Sequence, residues 1–160
     1  MTFRLAARLL LALALLAPLA APPAMARTET VAGWRIWAGG SGDGGYAVRL
    51  TRRARGWSYS HYIEYWHGNG GVVMSDEFRR GSCRSGDMSG IVPLHLGTSR
   101  RSFDQRLASY LRECPLPRAQ AAALRRSLAR AWPHFQRQAR RALAAMEAEN
   151  EAIARYGAQP

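Results

Sequence analysis

The segment Trp57–His67 reads Trp-Ser-Tyr-Ser-His-Tyr-Ile-Glu-Tyr-Trp-His and gathers the residue types best able to do chemistry. Inside it, His61-x-x-Glu64-x-x-His67 has the composition of a metal site. Its spacing argues against one. The segment alternates and is followed by Gly68-Asn69-Gly70-Gly71, a hairpin signal, so a strand is expected. On a strand His61 and His67 share a face about 20 Å apart, at ~3.3 Å per residue, and Glu64 points the other way. The spacing also lacks a zinc signature, so neither a metal nor a cofactor is expected.

The same alternation sorts the segment into two faces. Trp57, Tyr59, His61, Ile63 and Tyr65 make a bulky face suited to a core. Ser58, Ser60, Tyr62, Glu64 and Trp66 make a face too polar to bury cheaply. Tyr62, Glu64 and Trp66 are therefore the candidate binding residues, because aromatic rings beside a carboxylate suit sugar rings or cationic ligands. The competing reading is that these aromatics are ordinary cross-strand packing pairs.

Other segments offer less. Gly39–Gly45 lacks the spacing of a dinucleotide fingerprint and the acids of a calcium loop, and reads as a turn. Ser82, Ser85, Ser89, Asp76, Asp87 and His95 supply the residue types of a nucleophilic triad, but no nucleophile elbow orders them. No catalytic residue is assigned. Cys83 and Cys114 are the two cysteines, and a disulfide between them is expected if the chain is exported.

The elements that must position these residues fall into two halves. Val31–Trp37, Tyr46–Arg53, Trp57–His67, Val72–Phe78 and Ile91–Leu96 read as short strands, with Arg79–Gly90 as a loop. Pro93 cannot donate to a ladder and belongs at a sheet edge. Ser102-Phe103-Asp104-Gln105 has the form of a capping box, opening a helix over about 102–113 that Cys114-Pro115 ends. Leu124, Leu128, Trp132, Phe135, Ala139, Leu143, Met146 and Ile153 recur at helical spacing, predicting a second helix over about 117–156, kinked at Pro133. Strands first and helices afterwards predict an α+β domain: an antiparallel sheet of four to five strands spanning about 31–96, with two helices on one face.

The N-terminus bears on location. Met1–Arg8 carries Arg4 and Arg8, Leu9–Leu16 is an unbroken apolar run, and Ala24-Met25-Ala26 precedes Arg27. This is the pattern of a cleavable secretory signal over residues 1–26, leaving a single exported domain over 27–160, periplasmic or secreted. The apolar run is too short to span a membrane.

The chain carries a formal charge of +12, and every basic residue is Arg. Two of the 23 basic residues precede Arg27 and all 11 acids follow it, so the exported part keeps +10. Such a domain is drawn to anionic surfaces, and salt weakens the attraction. Export leaves a lipid head group, lipopolysaccharide, an acidic glycan or an acidic protein as the expected partner, rather than nucleic acid. Arg118, Arg125, Arg126, Arg130, Arg137, Arg140 and Arg141 leave room for peripheral membrane contact by the second helix; a core-packing helix with a solvated back is the competing reading. The expected function is that of a non-enzymatic binding module. The alternative is an envelope hydrolase with its site near the Trp57–His67 strand.

Overall fold

In the computed structural model, which describes residues 26–41, 45–66 and 71–157, the strand half and the helical half meet in one α+β unit. The strands are β1 (Arg27–Val31), β2 (Trp34–Gly40), β3 (Tyr46–Ala54), β4 (Trp57–Tyr65), β5 (Gly71–Arg80) and β6 (Cys83–Pro93). They form one antiparallel sheet in chain order, each strand paired with the next. The helices follow: a short α1 (Leu94–Thr98), then α2 (Arg100–Glu113) and α3 (Arg118–Gly157).

The sheet has six strands rather than the four to five expected. The added strand is β1, which precedes the expected Val31–Trp37 and shares only Val31 with it; Ala32 at φ 52° and Gly33 at φ 79° turn the chain into the β1–β2 hairpin. Alanine carries no turn signal, so the sequence pattern runs straight through it. The second difference is Arg79–Gly90, which is not a loop. β5 continues to Arg80, the chain turns at Gly81 and Ser82, and β6 pairs back from Cys83. Its Gly and Ser residues have weak strand preference, but pairing with β5 fixes them. The register shifts between Val73 and Met74, a bulge that leaves Gly90 outside the ladder. β6 is an edge strand, and Pro93 ends it where no ladder donor is needed. The chain then enters α1 at Leu94, so the last strand stops short of the expected Leu96.

The helix boundaries also shift. α2 starts at Arg100, two residues before the proposed capping box, because Ser99 is the N-cap and its hydroxyl accepts from the Ser102 amide. α3 passes through Pro133 as one 40-residue helix, about 60 Å long.

All three helices lie on one face of the sheet. The core joins Trp34, Ile36, Val48, Leu50, Tyr59, Ile63 and Phe78 of that face to Phe103, Leu107, Leu124, Leu128 and Phe135. Polar ties add direction to this apolar contact. Trp34 Nε1 donates to Ser127 Oγ at 3.0 Å, the Arg52 guanidinium also reaches Ser127, and Glu29 of β1 pairs with His134 of α3. Cys83 and Cys114 are bonded, their Cα atoms 5.8 Å apart. The bond pins the start of edge strand β6 to the end of α2. Closing a separation of 31 residues contributes about 3–4 kcal/mol in the chain-entropy account. Ser85 Oγ donates to Glu113 at 2.5 Å and reinforces the same junction.

Candidate functional site

Side chains alternate along each strand, so antiparallel register decides which residues meet. On the face away from the helices, Arg35 lies opposite Thr51, Thr51 opposite Ser60, Trp37 opposite Arg49, Arg49 opposite Tyr62, and Ala47 opposite Glu64. These rows build a groove of about 780 Å3, lined among others by Arg35, Trp37, Arg49, Arg53, Tyr62 and Glu64. Arg49 and Arg53 sit four residues apart on β3, about 13 Å, and Arg35 falls between them from β2. Three exposed guanidiniums thus surround Thr51.

The aromatic walls have their own local causes. The Arg49 guanidinium lies over the Tyr62 ring, 5.0 Å from its centroid, an attraction that holds the two side chains together in the groove. A Cβ on Gly39 would stand 2.8 Å from Trp37 Cζ2, so the glycine is what lets the indole lie over its own strand. Glu64 is nearly buried at the opposite end of the groove from Arg53, at 7% exposure. The groove therefore runs from a cationic end past two half-buried rings to one carboxylate. It can hold an anion at one end, a planar or ring-shaped body in the middle, and a hydrogen-bond donor at the other.

The helix-side face carries a second polar constellation of a different kind. His61 is fully buried, and Asp76 stands directly across from it on β5. His61 Nδ1 is 2.7 Å from Asp76 Oδ1, and Nε2 is 3.2 Å from the Gly97 carbonyl. Both partners are acceptors, so the ring with a proton on each nitrogen satisfies both. Tyr59 donates to Asp76 Oδ1 at 2.8 Å, Arg106 Nε to Oδ2 at 2.5 Å and Tyr110 to Oδ2 at 3.2 Å. Burial alone would push the Asp76 carboxyl up. The His61 hydrogen bond and charge, with the Arg106 charge and hydrogen bond, outweigh burial and hold it at about 2. The Tyr59 hydroxyl is driven well above its ordinary value by burial and by the Asp76 charge.

Rings enclose this network: Phe103, Trp132 and Phe135 all lie within 6.0 Å of the His61 ring, centroid to centroid. The close approach of α1 depends on Gly97, where a Cβ would come within 2.8 Å of Val72 Cγ2. The network docks α1 and α2 onto β4 and β5. Solvent does not reach its histidine, so its geometry is that of a structural tie.

Of the sequence candidates, Tyr62 and Glu64 come together in the outer-face groove. Trp66 follows the last residue of β4, is half-buried, and does not line the groove; its Nε1 is buried without a hydrogen-bond partner among the described residues. His61 and Glu64 lie on opposite faces of β4, as a period of two requires. His67 lies outside the described residues. Among those residues, no group of three or more His, Cys, Asp or Glu could hold a metal ion. His95 is exposed on α1. Sequence reasoning missed Arg35, Trp37, Arg49 and Arg53. Their signal was present in the alternation of β2 and β3, but only the pairing register brings them beside Tyr62.

No protein-family model, curated protein or solved structure matches the chain.

Proposed function

We propose that the chain is an exported binding module that holds an anionic envelope component in the outer-face groove. The observation that carries this reading is the convergence of Arg35, Arg49 and Arg53 with Trp37 and Tyr62 on the sheet face opposite the described helices. Guanidiniums recognise phosphate or carboxylate, and the flanking rings suit the faces of a sugar. An acidic saccharide satisfies both ends of the groove: its anion meets the arginines and its hydroxyls donate to Glu64. The hydrolase alternative has weaker support, because His61, its leading residue on β4, is buried and engaged through both ring nitrogens.

Export rests on the residue pattern before Arg27. Cleavage after Ala26 would leave every strand whole, since β1 begins at Arg27. The disulfide is compatible with an oxidising compartment. N-terminal sequencing of the exported product is expected to begin at Arg27; an intact Met1 in the membrane fraction would refute cleavage.

The groove is tested with the phosphorylated core oligosaccharide of lipopolysaccharide, its dephosphorylated form and an acidic peptide, by calorimetric titration. Binding of the phosphorylated form is expected, weakening as salt rises. Trp37→Ala is expected to lower affinity about tenfold with little loss of stability, as for a half-buried interface anchor. Arg49→Gln and Arg53→Gln together should lower it further and flatten the salt dependence. Unchanged affinity in all three variants would overturn the assignment. Binding of the acidic peptide alone would move the partner to the protein class.

A further inference from the structure

The other strongly charged surface lies on the opposite side of the molecule. Between Arg118 and Met146, α3 carries seven arginines and no acid. Leu124, Leu128, Phe135 and Ala139 face the sheet and are fully buried. At 3.6 residues per turn, Arg126, Arg130, Arg137 and Arg141 fall on the line farthest from that stripe, and all four are exposed. They span about 22 Å of helix, at 1.5 Å per residue. Between them along that line stand small residues such as Pro133, with Ala123 and Ala144 at the ends. At the flank of the helix His134 pairs through Nδ1 with Glu29 of β1, and Arg137 Nη2 lies 2.7 Å from the same nitrogen.

We propose that this arginine ridge docks the domain on an anionic phospholipid surface by charge alone, with the groove facing away from the bilayer. The choice of partner follows from what the ridge lacks and from its shape. A specific protein interface is anchored by a large aromatic or aliphatic side chain in a pocket, and the ridge carries only alanine and proline between its charges. A lipid surface needs no such anchor, because its charges are diffuse and mobile, and each nearby arginine contributes additively. From Leu124 to Met146 the apolar stripe of α3 is committed to the core, so that stretch cannot insert as a free amphipathic helix does; Ile153, beyond it, is exposed but lies off the ridge. Attachment is therefore reversible and salt-sensitive. Because α3 covers one sheet face and the groove occupies the other, docking through α3 leaves the groove open to solvent.

Co-sedimentation of the exported chain with phosphatidylglycerol-containing vesicles, against pure phosphatidylcholine vesicles, tests the ridge. The unaltered chain is expected to partition to the anionic vesicles only, and to release at high salt. Combined Arg126→Gln, Arg130→Gln, Arg137→Gln and Arg141→Gln should cut partitioning by roughly three orders of magnitude while leaving the thermal melt in place. Arg35→Gln, Arg49→Gln and Arg53→Gln together should leave most of it. The ridge is refuted if its variant sediments like the unaltered chain. Equal losses in the two variants would equally refute it, since total charge and not this surface would then drive adsorption. A loss confined to the groove variant would make lipid head groups the groove's ligand.

Discussion

Replacing Asp76 with alanine is expected to destabilise the fold by about 3–5 kcal/mol, because it strands charged and polar partners in the interior. The carboxylate accepts from His61 and Tyr59 on one oxygen and from Arg106 and Tyr110 on the other. His61 has no exposure through which water could replace the lost partner. Arg106 already has its Nη2 buried and unpartnered among the described residues. A small domain has a total stability of about 5–15 kcal/mol, so the loss removes a large share of it. Denaturant unfolding of the two proteins gives the difference in midpoint. A loss under about 1 kcal/mol would show that the network is not what holds α2 on the sheet.

The same carboxylate gives a signed pH dependence. Its pKa in the folded protein is about 2, below the ordinary value of 3.8. The folded state therefore favours the ionised form, and the resulting stability is fully present above pH 4. It is lost as pH falls from there through about 2, because the unfolded chain then takes up the proton first. The increment is about 2 kcal/mol for a shift of this size. The difference between native and Asp76→Asn stability should narrow across that acid window and stay level above it.

The network also marks where legibility in the sequence ended. The alternation of Trp57–Tyr65 places His61 on the apolar face of β4, but its partner Asp76 lies on a different strand, and Arg106 and Tyr110 lie on a helix 30 and 34 residues further on. Local periodicity says which face a residue takes. It does not say which residue stands opposite, and that register depends on turns such as Ala32–Gly33 whose backbone conformation the residue types do not announce. The apolar stripe of α3 was legible because a 3.6-residue period over many turns is redundant, so that Pro133 and the polar Ser127 and Gln138 do not erase it. Edge strand β6 was legible only at its end, Ile91–Pro93, because the order of the rest comes from pairing with β5 and from the Cys83–Cys114 bond rather than from its own composition. The groove fell between these cases. Tyr62 and Glu64 were visible as a polar face, while its arginines became neighbours only through register.

The largest single effect is expected from Leu128→Asp, which should unfold the domain. Leu128 has no exposure and belongs to the cluster that joins α3 to the sheet. The substitution removes a buried side chain, which costs about 2–5 kcal/mol on truncation alone. It also places an uncompensated carboxylate among the apolar side chains of that cluster, adding a desolvation cost of several kcal/mol. Together these reach the whole stability of a domain of this size. The alternative role for the stripe makes the opposite forecast. If Leu128 faced lipid, the variant would stay folded in solution and lose only vesicle binding. Far-ultraviolet circular dichroism and a thermal melt without lipid separate the two outcomes, and a cooperative melt near that of the native chain would defeat the core assignment. The comparison with Arg130→Gln sharpens the test. That residue lies two positions along the same helix, on the exposed ridge, and its substitution should leave the melt unmoved while weakening adsorption to anionic vesicles. One helix would then separate its two tasks by face, with stability on the buried side and attraction to lipid on the other.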